Sequence, residues 1–424
     1  MMAIWNRIKL IMEKADTKHI VILSMGVLGG QIVNILVQPI ATRLYSPEAF
    51  GNLSLMISLG TMFAPIATLQ YHIAIVHSKK EEEFALYKLN FLLVAITAFF
   101  FFFCLFGYLQ FGTPKYDTVG SLIYISILWY IMNGLVSIVE SYNNRHNEYQ
   151  LMAKVTFNRA IVSNIVKVIL GVFHFEVLGL VIAQTLGYIA GIKKQSKSII
   201  QHWNDIWKTD GKQVLEVASR YRAQPLYALP GIFILQFSYS ALAVVINTLF
   251  STREGGFFSL SVTVLGIPLS LVSNNVSRVF FKNASEEYEK TGSFYSAFRN
   301  TSVMLISLSV VGFSLLWLIA EPAFSLVYGK EWVRSGVFVK RLIPMYAARF
   351  IVTGMMHGFV ISNKQRLKTI LQSLFIAAMA LGYSLAASGR MEVEGFLSYI
   401  NWTYFALYIV LFFVLWKQSK GEHG

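Results

Sequence analysis

Five basic side chains interrupt long apolar stretches of this sequence. Arg159 and Lys167 lie in one stretch, and Lys340, Arg341 and Arg349 lie in another. A charged side chain at the centre of a lipid bilayer costs about 2.5–3.5 kcal/mol on insertion scales, so unpaired cations at that depth require an aqueous cavity or an anionic partner. The chemistry that these residues suit is the binding of an anion.

The spacing of these cations places them in pairs on one side of each helix. Arg159 and Lys167 are eight residues apart, as are Arg341 and Arg349. Eight residues advance an α-helix by about 12 Å and rotate it by about 80° beyond two full turns. Each pair therefore forms a ladder along its helix, and a ladder of cations suits the passage of an anion across a bilayer.

Acidic side chains that could neutralise these cations are scarce in the apolar stretches. All four aspartates fall in predicted loops, and Glu140 is the only glutamate well within a predicted span. Pairing with Glu140 is the alternative to a binding role for Arg159. Lys340 and Arg341 lie within about one turn of a span end, where long side chains can reach the membrane surface.

Neutral polar side chains provide a second set of candidate lining residues. Gln31, Asn34 and Gln38 recur on one face of the first apolar stretch, and His72 follows Gln70 in the second. The alternative explanation for such residues is hydrogen bonding between helices, and we favour this explanation for Asn34.

The composition is that of a membrane protein. Apolar residues make up 55% of 424, or about 233, close to the roughly 240 that twelve helices of about 20 residues require. Charged residues are only 14% of the chain, against about 25% in soluble proteins, which excludes a cytosolic enzyme, a secreted disulfide scaffold and a disordered protein. Cys104 is the single cysteine, so neither an intrachain disulfide nor a thiolate metal site is expected.

The apolar stretches predict an all-α polytopic protein with about twelve spans, preceded by an amphipathic interfacial helix near residues 3–12. The predicted spans are 20–41, 50–76, 86–109, 119–142, 153–173, 176–192, 223–249, 256–280, 298–320, 337–361, 367–387 and 395–416. The weakest boundary lies between the fifth and sixth spans, where one long re-entrant segment is the alternative.

The loop charges predict the orientation. With both termini in the cytoplasm, 25 Lys and Arg residues fall on the inner side and six on the outer side, as the positive-inside rule requires. Most of the net charge of +14 therefore reflects orientation, and nucleic acid is not an expected partner. The longest inner loop, 193–222, carries apolar residues at helical spacing and is predicted to lie along the inner surface.

An internal repeat divides the chain into two halves. Leu44–Leu55 matches Leu249–Leu260 at an offset of 205 residues, and an even number of spans in each half makes the repeat parallel. We therefore expect an N-terminal lobe at 1–192, a cytoplasmic interfacial linker at 193–222 and a C-terminal lobe at 223–424. Two six-helix lobes of this kind bind a transported substrate at the interface between them.

Several chemistries have no motif in the sequence. There is no glycine-rich phosphate loop ending in Lys-Ser or Lys-Thr, no pair of catalytic carboxylates at depth and no zinc-ligand spacing. We expect no cofactor, no bound metal and no ATP hydrolysis.

Loop motifs spread over most of the chain resemble those of bacterial polysaccharide repeat-unit flippases, of the O-antigen and capsule type, in the multidrug/oligosaccharidyl-lipid/polysaccharide (MOP) exporter superfamily. The turn Thr42–Gly51 is similar to the turn after the first helix of these proteins. Further similar stretches are Ser219–Arg222, Tyr227–Pro230, Pro268–Ser270, Phe280–Phe281, Ala284–Glu286 and Phe324–Gly329 with Trp332.

The resemblance implies a MATE-like fold, alternating access and export of an oligosaccharide on an undecaprenyl pyrophosphate carrier across a bacterial inner membrane. The expected partners are this lipid-linked oligosaccharide, membrane lipids, and a glycan polymerase with other assembly proteins. Arg159, Lys167 and Arg349 are assigned to the pyrophosphate by depth and sign, since the family shares no short motif for these cations. Arg43 lies in the matching turn at the predicted outer mouth, where a structural role is favoured.

Two other functions remain as alternatives. A cation-coupled multidrug antiporter of the same superfamily needs a buried acid, which this sequence largely lacks. A membrane glycan polymerase or ligase usually has a long outer loop with catalytic residues, whereas the longest outer loop here is about 321–336.

Overall fold

The computed structural model describes residues 15–111 and 120–421, which form α-helices joined by short 3₁₀ and π turns, with no strand. The predicted amphipathic helix near residues 3–12 lies outside the described residues. The described chain packs as two compact units: unit 1 comprises Met1–Ser46 and Met56–Phe233, and unit 2 comprises Pro47–Leu55 and Ile234–Gly424. The lobe boundaries expected from the repeat remain a prediction.

Unit 1 contains long apolar helices followed by a group of short ones. In chain order the helices are α1 (Ala15–Leu44), α2 (Pro47–Met62, which begins in unit 2), α3 (His72–His77), α4 (Glu83–Phe111), α5 (Ile125–Arg145), α6 (Tyr149–Val172), α7 (Glu176–Ile189), α8 (Ile192–Gln195), α9 (Lys197–Gln201), α10 (Trp203–Lys208) and α11 (Gly211–Arg220).

Unit 2 continues the series with helices of up to 33 residues. They are α12 (Leu229–Val245), α13 (Thr252–Pro268), α14 (Asn274–Thr291), α15 (Tyr295–Val327), α16 (Val333–Thr353), α17 (Gly358–Ile361), α18 (Gln365–Ala387) and α19 (Val393–Ser419). Segments of π-helix flank α12 and separate α13 from α14.

The predicted all-α polytopic fold is confirmed. Within the described residues, eleven segments have the length and apolar composition to cross a membrane. The remaining predicted span, 337–361, corresponds to α16, which carries Arg334, Lys340, Arg341 and Arg349 and is therefore less apolar than the others. Large apolar side chains are exposed along the long helices, as a lipid-facing surface requires. Examples are Phe99, Phe103, Val311, Leu315 and Leu318.

The fifth and sixth predicted spans are two separate helices, not one re-entrant segment. Helix α6 ends at Val172 and α7 begins at Glu176. His174 and Glu176 have φ angles of 57° and 43°, a left-handed conformation that a continuing right-handed helix excludes. The two helices fold back on each other, with Gly187 of α7 against Ser163 of α6.

The second predicted span is broken near its middle. After α2 ends, a 3₁₀ turn at Ala64–Ile66 contains Pro65, and the chain then passes through Leu69 and Gln70 with φ angles of 46° and 63°. The freed backbone groups find side-chain partners, as a break at membrane depth requires: Gln70 Nε2 donates to the Pro65 carbonyl oxygen at 3.0 Å. At the repeat-related position, the π segment Leu269–Ser273 interrupts the eighth span.

The linker after α7 is anchored to α4 in unit 1. Lys88 of α4 donates to the carbonyl oxygens of Trp207 and Thr209 at 3.0 and 2.7 Å, which satisfies free carbonyls at the end of α10. Arg220 forms an ion pair with the buried Glu82, and Tyr221 donates to the same carboxylate at 2.7 Å. These contacts hold the linker against α4 and against Glu82, the residue just before α4.

The repeat motif produces a close helix crossing within unit 2. Gly51 and Gly256 are equivalent residues of the two halves. A Cβ atom added to Gly51 would overlap the carbonyl of Thr252, and one added to Gly256 would overlap the carbonyl of Pro47. The first turn of α2 therefore approaches the first turn of α13 reciprocally, at a distance that only glycine allows.

Enlarging either glycine is expected to destabilise the protein. Gly51→Ala and Gly256→Ala should each cost about 1–3 kcal/mol, because the atoms that must shift belong to the backbone of the other helix. Thermal unfolding of the detergent-solubilised protein measures this. Gly312→Ala in α15 is the matched control: its added Cβ meets nothing within 4 Å, so its melting temperature should stay the same or rise. Equal melting temperatures for all three variants would contradict the close crossing.

Candidate functional site

Arg349 lies among tyrosines in unit 2. Its guanidinium carbon is 3.8 Å from the ring centroid of Tyr239 on α12 and 5.5 Å from that of Tyr346, one turn earlier on α16. Both distances are within the range of cation–π attraction, which is worth about 0.5–2 kcal/mol. The aromatic rings thus compensate part of the cost of bringing the charge out of water.

Two tyrosines of α19 extend this group. The Tyr408 hydroxyl forms a hydrogen bond with the Tyr239 hydroxyl, and the Tyr404 ring packs edge-to-face on Tyr239 with centroids 5.9 Å apart. Tyr404 donates to the carbonyl oxygen of Ser238 at 3.3 Å, which fixes its ring. We call Tyr239, Tyr346, Tyr404 and Tyr408 the tyrosine cage.

A proline lies within α16, five residues before the arginine. Pro344 sits inside the helix and disrupts its hydrogen-bond ladder. The backbone N–H of Met345 donates instead to Asn401 Oδ1 of α19 at 2.9 Å. This bond ties α16 to α19 and thereby positions Arg349 relative to the tyrosine cage.

No carboxylate pairs with Arg349 anywhere in residues 15–111 and 120–421. The other two candidate cations of α16 do have acidic partners. Lys340 Nζ lies 2.7 Å from Glu321 Oε1, and Arg341 forms an ion pair with Glu394 and donates to Ser398 Oγ at 3.1 Å.

These acidic partners were missed in the sequence. Glu321 was placed in an outer loop, but α15 runs on to Val327 and includes it. Glu394 lies in the first turn of α19, where a carboxylate is favoured by the helix dipole. Because both acids lie on other helices, the packing of α15 and α19 on α16 brings them to Lys340 and Arg341.

Unit 1 holds a separate polar cavity of about 330 Å³. Helices α1, α6 and α7 supply its walls. Its lining includes Gln31, Asn34, Thr156, Arg159, Ser163, Gln184 and Tyr188. Two of the residues selected from the sequence, Gln31 and Arg159, are thus brought together.

Arg159 is only partly satisfied in this cavity. Its Nη1 lies 3.6 Å from Glu140 Oε1, the pairing that the sequence offered as an alternative, and its Nη2 donates to Gln195 Oε1 at 3.1 Å. The buried Nε atom has no hydrogen-bond partner among the described residues. Buried donors without an acceptor are uncommon, and the Nε atom of Arg341 is in the same state.

The other predicted residues of unit 1 lie outside this cavity. Lys167 is half-buried on the same helix, and its ammonium has no ion-pair or hydrogen-bond partner among the described residues, although its backbone carbonyl accepts from Tyr45 at 2.8 Å. Gln38 is half-buried and Arg43 is exposed in the last turn of α1. His72 Nδ1 lies 2.7 Å from Thr68 Oγ1 beside the break in the second span.

Two further observations concern neutral and metal-ligating residues. Asn164 Nδ2 donates to Asn34 Oδ1 at 2.6 Å, which is the hydrogen bond between helices that the sequence favoured for Asn34. Among the described residues, no group of three or more His, Cys, Asp or Glu side chains has the geometry to hold a metal ion.

The family described as "Polysaccharide biosynthesis protein" matches residues 40–336, well over half of the chain. The chain belongs to this family. The resemblance to a polysaccharide family that the loop motifs indicated is thereby confirmed. No curated protein sequence matches the chain.

Solved structures with the same fold belong to MATE transporters. One is an inward-facing multidrug resistance MATE family transporter of the MOP superfamily, with a TM-score of 0.66 and 10% identity over 91% of this chain and 93% of that one. Another is a variant of the Vibrio cholerae MATE transporter VcmN, with a TM-score of 0.57 and 14% identity over 95% of each chain. At these identities the similarity shows the fold of this polysaccharide biosynthesis protein.

The ion pair between Lys340 and Glu321 is expected to be structural. Lys340→Glu and Glu321→Lys should each lower the melting temperature, because each places like charges side by side, and the double exchange should recover most of the loss. The pair is partly exposed, so a coupling free energy of about 0.5–1 kcal/mol is expected. A double-mutant cycle of thermal unfolding measures it, and additive effects of the two exchanges would exclude the pairing.

Proposed function

We propose that this polysaccharide biosynthesis protein is a flippase. It moves oligosaccharide repeat units linked to undecaprenyl pyrophosphate from the cytoplasmic to the outer leaflet of a bacterial cell membrane, where they enter a surface polysaccharide such as O-antigen, capsule or exopolysaccharide. It acts as a transporter and not as an enzyme. Family membership, the MATE-like fold and the cations within apolar helices support this proposal.

The observation that carries the proposal is Arg349 in its tyrosine cage. The arginine is half-buried in an apolar helix without a carboxylate partner among the described residues. The guanidinium presents a planar fork of donors that matches a phosphate bidentately. The Tyr346 hydroxyl takes one hydrogen bond from the guanidinium, and stacking on the Tyr239 face leaves the other N–H donors at its edge for an anion. Pyrophosphate is the part of a lipid-linked oligosaccharide that offers this chemistry.

The polar cavity of unit 1 suits the same cargo. Gln31, Gln184 and Ser163 offer uncharged donors and acceptors, which are the groups that bind sugar hydroxyls. Arg159 adds a guanidinium that lines the cavity, and Lys167 lies outside it on the same helix. The cavity therefore combines positive charge with neutral hydrogen-bonding groups.

Efflux of cationic drugs has less support. It requires a carboxylate free to hold a cation within the membrane. The glutamates beside the helix cations, Glu140 and Glu321, lie 3.6 Å from Arg159 and 2.7 Å from Lys340. Both acids are therefore already engaged by basic side chains.

Removing the unpaired cations is expected to abolish transport without removing the protein from the membrane. Arg349→Ala, and separately Lys167→Ala, should eliminate surface glycan, and Arg349→Lys should restore only part of it because a point charge replaces a bidentate donor. Surface glycan and the amount of membrane-inserted protein are measured in the same cells. The control is Arg299→Ala, which removes an exposed arginine near the start of α15. Normal glycan in both the Arg349→Ala and Lys167→Ala strains would rule out this site.

A leaflet assay separates transport from polymerisation. In a deletion strain, labelled lipid-linked oligosaccharide should accumulate where only cytoplasmic-side probes reach it, and complementation should restore its access to external probes. A polymerase or ligase predicts single repeat units that accumulate in the outer leaflet instead. That result would refute the flippase proposal.

A further inference from the structure

An apolar groove of about 790 Å³ lies at one end of unit 2. The end of α19 supplies one wall, and the start of α18 and the end of α14 supply the rest. Its apolar lining consists of Leu367, Val410, Phe413, Val414 and Trp416. Phe413 and Val410 are exposed, so the groove is open at the outer surface of the helices.

The polar rim of the groove is positively charged. Lys364 and Lys417 line it, and the residues that form its described lining include no Asp or Glu. Both lysines are exposed, and neither ammonium makes an ion pair or hydrogen bond with a described residue. Lys364 also precedes the first turn of α18, whose N-terminus contributes partial positive charge from the helix dipole. The rim therefore attracts an anion.

The order of these groups along α19 matches the order of groups in a phospholipid. Val410 and Phe413 come first, Trp416 follows, and Lys417 ends the series, over about 10 Å of helix. Lys420 lies 4.0 Å from the centre of the Trp416 ring. Tryptophan and lysine at the end of a membrane helix mark the level of lipid head groups, so the apolar wall lies at the level of acyl chains.

We propose that this groove binds an anionic phospholipid of the cytoplasmic leaflet, with the phosphate between Lys364 and Lys417 and an acyl chain along Val410 and Phe413. The charge bias of the loops predicts that this end faces the cytoplasm, where anionic lipids attract basic groups near the surface. The groove is separate from the proposed pyrophosphate site, because neither Arg349 nor any residue of the tyrosine cage lines it.

Native mass spectrometry of the full chain tests the proposal, with phosphatidylglycerol and phosphatidylcholine of identical acyl chains as probes. The wild-type protein should retain phosphatidylglycerol in preference to phosphatidylcholine. The double variant Lys364→Gln/Lys417→Gln should bind phosphatidylglycerol at least about tenfold more weakly, the order expected for two lost phosphate contacts. Val410→Trp, which fills the groove and keeps both lysines, should weaken both lipids.

A matched control removes the same charge elsewhere. Lys80→Gln/Lys154→Gln replaces two exposed lysines of unit 1 and should leave the preference for phosphatidylglycerol unchanged. Equal affinities for phosphatidylglycerol in the two double variants would overturn the proposal. So would binding of undecaprenyl phosphate, but not of phosphatidylglycerol, that depends on Lys364 and Lys417, since the groove would then hold the carrier lipid.

Discussion

The cost of a positive charge within an apolar helix governs the organisation of this protein. Each such cation must find an acid, reach the membrane surface or face a polar space. Lys340 and Arg341 use Glu321 and Glu394, and Arg159 is shared between Glu140 and a polar cavity. Arg349 has aromatic rings in place of an acid. The structure thus separates cations that join helices through acids from Arg349, which has no carboxylate partner among the described residues.

The helices that carry these cations also need the most elaborate packing. Helix α16 is less apolar than α15, α18 and α19, and it is held by Asn401 next to Pro344 and by acids from α15 and α19 at Lys340 and Arg341. Hydrogen bonds and ion pairs in a low-dielectric setting fix geometry strongly, because a lost partner leaves a costly unpaired group. The hydrogen bond and ion pairs that α16 needs to lie within the membrane therefore also set the position of Arg349.

The sequence predicted the features that depend on local composition. Helix α6, found at Tyr149–Val172, was predicted at 153–173, because span hydropathy is a local property. The left-handed conformations of Leu69 and Gln70, which break the second span, have no clear local signal, and a carbonyl beside the break, that of Ala67, accepts from Thr97 of α4, which is distant in sequence. The tyrosine cage draws on three distant helices, and in a chain with 15% aromatic residues its members carry no distinguishing local signal.

A tyrosine cage has a physical advantage in the proposed transport cycle, in which Arg349 binds an anion and then releases it. An arginine in a close ion pair would have to exchange its carboxylate for the phosphate, and the abandoned acid would remain charged at depth. Cation–π contacts are weaker, about 0.5–2 kcal/mol, and they act through the face of the guanidinium. In the proposed cycle a phosphate approaches through the edge, where the Tyr346 hydroxyl takes one hydrogen bond, so it adds to the face contact with Tyr239 and does not replace it. After release, the rings still stabilise the empty arginine, and the site returns to its starting state without an unpaired acid.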